Sequence, residues 1–285
     1  MQGMKIACGQ ITWGREYPRE KVLKEIAQAG YDGAPVGRPG DSSAADVLAQ
    51  YARFGLQPAP GYLGLAWWDA ASRSQQLEQA ARQAAFSRKL GLTELYVASN
   101  LTPERRAIAG QVTATTATPT DSLKSLADLL NAVGAVTLRE GVRTCFHNHV
   151  GSPVETRDEI DRLFDLVDRN VVFQGPDLGH LAWAGDDAVK LVRDYGSSIK
   201  TLHIKDISPT VRAEGILQRW DYRRFADHGI FVELGEGMID FPGVFAALRD
   251  VGFQGWVVVE TDVTRKASAF ESATISRRYL ASIGV

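Results

Sequence analysis

The chain carries five histidines, and four of them fall into three short clusters with acidic residues nearby. The first cluster is Phe146-His147-Asn148-His149, with Glu155 shortly beyond it; the second is Asp177-Leu178-Gly179-His180; the third is His203-Ile204-Lys205-Asp206. A fourth, purely acidic in its charges, is Glu260-Thr261-Asp262. An isolated histidine is ordinarily a core side chain bonded to a carbonyl, but four of them repeatedly joined to carboxylates mark a site where chemistry is done. Mixed imidazole and carboxylate donors suit one divalent cation such as Mn²⁺, Mg²⁺, Co²⁺ or Zn²⁺. No cysteine stands in the clusters, which argues against a structural zinc centre.

Each cluster ends or follows a short apolar run, so the elements that position them can be read next. Strands are predicted over Lys5–Gln10, Tyr31–Val36, Leu56–Tyr62, Glu94–Ala98, Val142–His147, Val171–Asp177, Ile199–Lys205 and Gly255–Glu260. Helical stretches lie between them: Pro18–Ala29, Ser43–Phe54, Ser72–Leu90, a helix capped by Thr120 or Asp121 and running to about Glu140, Arg157–Val167, Asp187–Tyr195, Phe241–Val251 and Ser268–Ile283. Glycines close several of them, as a left-handed C-terminal cap requires. In the third helix Leu77, Ala80, Ala81, Ala84 and Ala85 recur at helical spacing and predict its buried stripe. Ser99–Pro119 reads as an irregular loop, and 206–237 as a long excursion that begins at the mouth and could serve as a lid.

Eight strand–helix units in unbroken succession predict one α/β domain over residues 1–285, a (β/α)8 TIM barrel. An open doubly wound sheet is disfavoured, because Cys8-Gly9-Gln10-Ile11-Thr12-Trp13-Gly14 is no dinucleotide fingerprint. In such barrels catalysis occurs at the C-terminal ends of the strands, which is where all four clusters fall.

Bulk properties exclude several function classes. A net charge of −2, with Lys and Arg scattered, offers no field for nucleic acid or an anionic membrane surface. No signal peptide precedes the first strand, and no apolar run approaches the ~20 residues of a membrane span. Cys8 and Cys145 sit in strand-like runs, so buried reduced thiols in a cytoplasmic protein are expected.

On these residues the chain resembles the xylose-isomerase-like barrel superfamily of sugar isomerases and epimerases, and within it the inosose (keto-inositol) dehydratases. The likeness runs from Ile6-Ala7 through Ala29-Gly30-Tyr31-Asp32-Gly33 to the closing helix. Four stretches carry it: His147 to Thr156, Asp177 to Gly185, Leu202 to Asp206 and Gly255 to Glu260. The resemblance implies a single metal held by two glutamates, an aspartate and a histidine, carried over here to Glu155, Asp177, His203 and Glu260. Many relatives place a glutamate where this chain has His147. Either Glu155 folds back to fill that position and frees His147 as a base, or His147 is itself the ligand; the first arrangement is the expectation. Two departures leave the substrate open. Ala34-Pro35-Val36-Gly37 lacks a glutamate usual near the end of the second strand, and Trp13 is followed by Gly14-Arg15-Glu16 instead of an Asp-Asp pair.

The implied reaction removes a proton next to a carbonyl through an enediolate, with epimerisation, isomerisation or dehydration as the outcome, on a small sugar or cyclitol. His147 is the first candidate base and Glu260 the second, while Lys205 would bind a substrate oxygen or steady the enediolate. His149 and His180 are assigned to substrate hydroxyls, and Trp13, Trp68 and Trp183 to aromatic walls around a ring. A metal-dependent endonuclease on the same barrel, or a non-catalytic sugar-binding barrel, remains an alternative. The oligomeric state stays open, a homo-oligomer being compatible.

Overall fold

A computed structural model describes residues 3–14, 16–40 and 42–285, so Arg15 of the divergent run after Trp13 lies outside them. Eight parallel strands form the ring: β1 (Met4–Cys8), β2 (Gly33–Pro35), β3 (Gln57–Ala59, resumed as Tyr62–Leu65), β4 (Glu94–Ser99), β5 (Arg143–Phe146), β6 (Val172–Gln174), β7 (Leu202–Ile204) and β8 (Gly255–Val259). Each but β6 pairs in a parallel ladder with the next, and β8 returns to β1 in register from Met4↔Gly255 to Cys8↔Val259. Pro60-Gly61 interrupts β3, its first half pairing with β2 and its second with β4. Between β6 and β7 there is no continuous ladder. Two isolated bridges, Gln174↔Ile199 and Asp177↔His203, close that seam.

Inside the ring, Ala7 and Ala59 leave room for Tyr96, Trp256 and Val258, which together fill the barrel. Outside it, apolar helix faces pack on the strands. In Thr120–Arg139 the buried Leu123, Leu126, Ala127, Leu130, Val133 and Gly134 trace one helical stripe. That helix begins after Pro119, so Thr120 is its first helical residue rather than its cap. The stripe of Arg73–Lys89 also differs from expectation, since Gln76, Ala80, Gln83, Ala84 and Ser87 are buried while Leu77, Ala81 and Ala85 flank them. Gln76 is drawn inward because its amide bonds both the N–H and the carbonyl of Ala66. Cys8 and Cys145 are free and buried.

The excursion after β7 is ordered. Asp206–Ile207 pairs antiparallel with Phe231–Val232, and helices Pro209–Leu217 and Tyr222–Asp227 lie between them. The Asp206 carboxylate fastens its base, Oδ1 accepting from the amides of Ile207 (2.9 Å) and Ile239 (3.2 Å), and Oδ2 from Gly235 (3.0 Å) and Gly237 (2.9 Å). Asp206→Ala would strip four amides of their acceptor at once. We expect it to cost about 2–4 kcal/mol in equilibrium urea denaturation, with Asp206→Asn recovering part of the loss. A change below about 0.5 kcal/mol would show that the carboxylate does not hold the segment.

Candidate active site

Three strand ends each deliver two side chains to one mouth, at the i, i+2 spacing that places them on the same face of a strand. They are His147 and His149 after β5, His203 and Lys205 at β7, and Glu260 and Asp262 after β8. Asp177 stands in the turn beyond β6, where it caps the short helix Leu178–Ala184, and His180 comes from the first turn of that helix. Asn148 clamps Asp177 in place: the Asp177 amide donates to Asn148 Oδ1 (3.0 Å), and Asn148 Nδ2 donates to the Asp177 carbonyl (3.2 Å). One carboxylate oxygen of Asp177 serves the cap, accepting from the His180 amide at 3.0 Å. The other turns to the site.

That other oxygen, Oδ2, organises a deep layer. His147 Nε2 lies 3.8 Å from it and His203 Nδ1 3.9 Å, while His203 Nδ1 also lies 3.1 Å from Glu260 Oε2. Donor atoms of His147, Asp177 and His203 all fall within 4.8 Å of one another. Donor atoms of His149, His180 and Asp262 form a second layer and likewise lie within 4.8 Å of one another. Lys205 Nζ stands between the layers, 2.7 Å from Asp262 Oδ1, 3.1 Å from Asp177 Oδ2, 3.2 Å from Glu260 Oε2 and 3.3 Å from His180 Nε2.

Two glycines make this packing possible. A Cβ at Gly9 would collide with the Glu260 side chain, and one at Gly179 with the Lys205 stem. Below the deep layer, Tyr96 packs its ring edge-on against His203 at 4.2 Å and His147 at 5.7 Å, its hydroxyl held by Thr201.

The electrostatics follow from burial. Desolvation, reinforced by neighbouring His203, His149 and Lys205, holds His147 well below the ordinary imidazole range, and burial with His149 and Lys205 does the same to His180. Both are therefore neutral, the form that donates a lone pair. Burial alone would raise Glu260, but His203 and Lys205 outweigh it and keep the carboxyl well below its usual range. Burial would likewise lower Lys205; Asp177, Asp262 and Glu260 overcome it and keep the ammonium charged.

The deep layer fits a divalent cation. Asp177 Oδ2 is fully buried and makes no hydrogen bond, and the rings of His147 and His203 turn a nitrogen toward it. Its charged neighbour among the described residues is Lys205 Nζ at 3.1 Å, and a buried carboxylate oxygen that makes no hydrogen bond can hold a further cation. His147, Asp177, His203 and Glu260 are the residues that would hold the ion.

Glu155, expected to complete this set, is elsewhere. Its Oε1 accepts from the Gly110 amide (2.7 Å) and its Oε2 from the Gly151 amide (2.8 Å), with Arg105 3.6 Å away. Arg105 in turn makes a two-pronged pair with Glu159 at 2.8 and 2.9 Å. Glu155 does not fold back because the 149–155 turn closes on itself, and loop amides saturate its carboxylate.

The tryptophans also differ from expectation. Trp13 is buried and donates its indole N–H to Glu25 at 2.6 Å, which ties it to helix Arg19–Ala29. Trp183 is fully buried behind His180, packed against Tyr222, Phe225 and Phe231. Trp68 is half exposed beside Trp67, on a groove of about 580 Å³ shared with Pro103, Pro119 and Pro153. Position near a strand end does not fix the direction of an aromatic ring. Asp262 has no role in the resemblance, although its place two residues after Glu260 puts it on the same face. Tyr62, edge-on to His147 at 5.3 Å, and Tyr222, stacked 6.1 Å from His149, were likewise missed. Lys205 pairs with Asp262, not with its neighbour Asp206.

A family model described as Xylose isomerase-like TIM barrel matches residues 23–281. The chain belongs to that family. Among relatives of this xylose isomerase-like barrel is an inosose dehydratase of Geobacillus kaustophilus, 28% identical over 276 residues, covering 90% of this chain and 87% of the relative. Among solved structures, the IOLI protein with a binding zinc atom superimposes with a TM-score of 0.74 at 18% identity, covering 98% of each chain. An L-ribulose 3-epimerase superimposes with a TM-score of 0.73 at 19% identity, covering 98% of this chain and 94% of the other. Identities this low in the solved structures establish the shared fold alone. No helix among the described residues is long and apolar enough to cross a membrane.

Proposed function

We propose that this xylose isomerase-like barrel is a divalent-metal-dependent enzyme that removes a proton alpha to a carbonyl of a sugar or cyclitol. Dehydration of an inosose-like ketone, or epimerisation of a ketose, is the leading reading. The observation that carries it is the pairing of two layers. A donor set of His147, Asp177, His203 and Glu260 lies beside Lys205, which links it to His149, His180 and Asp262. The inosose dehydratase relatives and the epimerase of the same fold support this class of substrate.

When bound, a divalent ion, Mn²⁺ in our reading with Mg²⁺, Co²⁺ or Zn²⁺ as alternatives, supplies a Lewis acid for the carbonyl and its adjacent hydroxyl. The chain's own residues do the rest. With His147 in the deep layer, the base is Glu260; His203 and Lys205 approach its Oε2 in the metal-free site and keep the carboxyl ionised, and Oε1 is the oxygen left to take the proton. Lys205 is held charged and places a cation where negative charge develops on a substrate oxygen. The Nδ1 of His149 donates to the Val150 carbonyl (2.7 Å), a tautomer that leaves Nε2 to accept from a hydroxyl. His180 and Asp262 complete the hydroxyl-binding layer. Segment 206–237 brings Tyr222 beside His149 and serves as the cover that excludes water.

The test is to incubate the enzyme with keto-inositols, ketohexoses and 3-keto-glycosides in D2O, quench with chelator and record proton spectra. Solvent deuterium should enter the carbon alpha to the carbonyl, in product or in recovered substrate. For an elimination that never returns to substrate, the ketone formed as its enol collapses should still carry deuterium. Turnover that strictly requires added NAD, with no deuterium in any species, would overturn the assignment.

A further inference from the structure

The ammonium of Lys205 and the proposed ion call on the same two oxygens. Lys205 is fully buried, and among the described residues it is the lysine or arginine paired with Asp177, Glu260 and Asp262. Those contacts are unequal. Of these three carboxylates only Asp262, through Oδ1, is hydrogen-bonded to Nζ, at 2.7 Å; His180 Nε2 is the other hydrogen-bond partner, at 3.3 Å. Asp177 Oδ2 and Glu260 Oε2, at 3.1 and 3.2 Å, are reached by charge without a hydrogen bond. They are also the atoms that face His147 Nε2 and His203 Nδ1. The side chain is steered there: its stem crosses Gly179, where any Cβ would collide with Lys205 Cγ.

We propose that Lys205 is the resident counter-cation of the metal-free site and sets how tightly the divalent ion is held. The inference rests on the metal reading given above. Three carboxylates against one ammonium leave two negative charges, which a divalent ion balances while Lys205 remains. Two cations sharing the same oxygens in a buried site repel strongly, because little solvent lies between them. Loading the ion therefore pushes the ammonium off Asp177 and Glu260 and leaves it on Asp262, its hydrogen-bonded partner. There it faces His180 and the hydroxyl-binding layer, so the step that fills the site also presents Lys205 to substrate. A lysine in this position weakens metal binding and makes it reversible.

The experiment compares the chelator-treated full-length protein with its Lys205→Met and Lys205→Gln variants, titrated with Mn²⁺ and with Zn²⁺ by calorimetry. Both variants should bind each ion at least about tenfold more tightly than the parent, with unchanged stoichiometry. Equal or weaker affinity in the variants, with the parent still binding one ion, would overturn the role of Lys205 and leave the metal reading intact. No binding in parent or variants would overturn both. Should the variants fail to fold, crystals of the parent decide. Nζ should lie within about 3.3 Å of Asp177 Oδ2 and Glu260 Oε2 after chelation. It should leave both, while keeping Asp262, after a Mn²⁺ soak. An unmoved Nζ beside a bound ion would refute the proposal.

Discussion

Asp177→Asn should empty the metal site while leaving the fold in place. Asparagine keeps a side-chain oxygen for the His180 amide and leaves the backbone clamp to Asn148 untouched, so the capped helix Leu178–Ala184 survives. What is removed is the charge on the buried oxygen that His147, His203 and Lys205 all face. Elemental analysis should find less than a tenth of an ion per chain. Turnover should fall by at least about a thousandfold, equivalent to roughly 4 kcal/mol of lost transition-state stabilisation. Asp177→Ala should lose the metal equally and about 1 kcal/mol of stability besides, since the cap goes too. Full occupancy in either variant would mean that the ion, if there is one, binds elsewhere.

His147→Ala and Glu155→Ala should separate function from stability. His147 points a neutral ring nitrogen at Asp177, so its loss should lower metal affinity by about a hundredfold and turnover with it, at little cost to the fold. Glu155→Ala should do the reverse. It strands the Gly110 and Gly151 amides, which we expect to cost about 2–4 kcal/mol in urea denaturation, with one ion per chain retained. The pH dependence gives an independent check. Burial pushes Glu155 from 4.5 up to about 7, so the folded state holds its proton more tightly than the unfolded chain does. Stability from this group is full below pH 4.5 and declines as pH rises through about 7. The gap between parent and Glu155→Ala should therefore be wider at pH 5.5 than at pH 8. Metal lost from Glu155→Ala but kept by His147→Ala would exchange the two roles.

The barrel was legible because its signals are local and repeated. Apolar runs alternating with capped amphipathic stretches need no tertiary knowledge to recognise, and the family match agrees with them. The strand-end residues were legible for the same reason: a parallel barrel sends every strand terminus to one mouth. What failed depended on direction. Nothing in His149-Val150-Gly151-Ser152-Pro153-Val154-Glu155 reveals that the turn closes through His149 N–H to the Val154 carbonyl, sending Glu155 toward Arg105 rather than the mouth. Trp13 and Trp183 were assigned by proximity to strand ends, yet Glu25 and the aromatic residues of the excursion claim them. Helix Leu178–Ala184 escaped notice because Gly179 lowers helix propensity, and the glycine is there to let Lys205 pass.

The seam between β6 and β7 gives the site a second significance. One of the two bridges across it joins Asp177 to His203, so two proposed ligands stand on opposite banks of a junction that has no continuous ladder. An ion gripping both would act as a suture, and its binding free energy would count toward keeping the cylinder shut. The metal-free barrel should then loosen first along this line, with hydrogen exchange of the 199–203 amides quickening ahead of those in β8 and β1. In such a molecule the cell's supply of metal would govern how long the protein lasts as well as how fast it works.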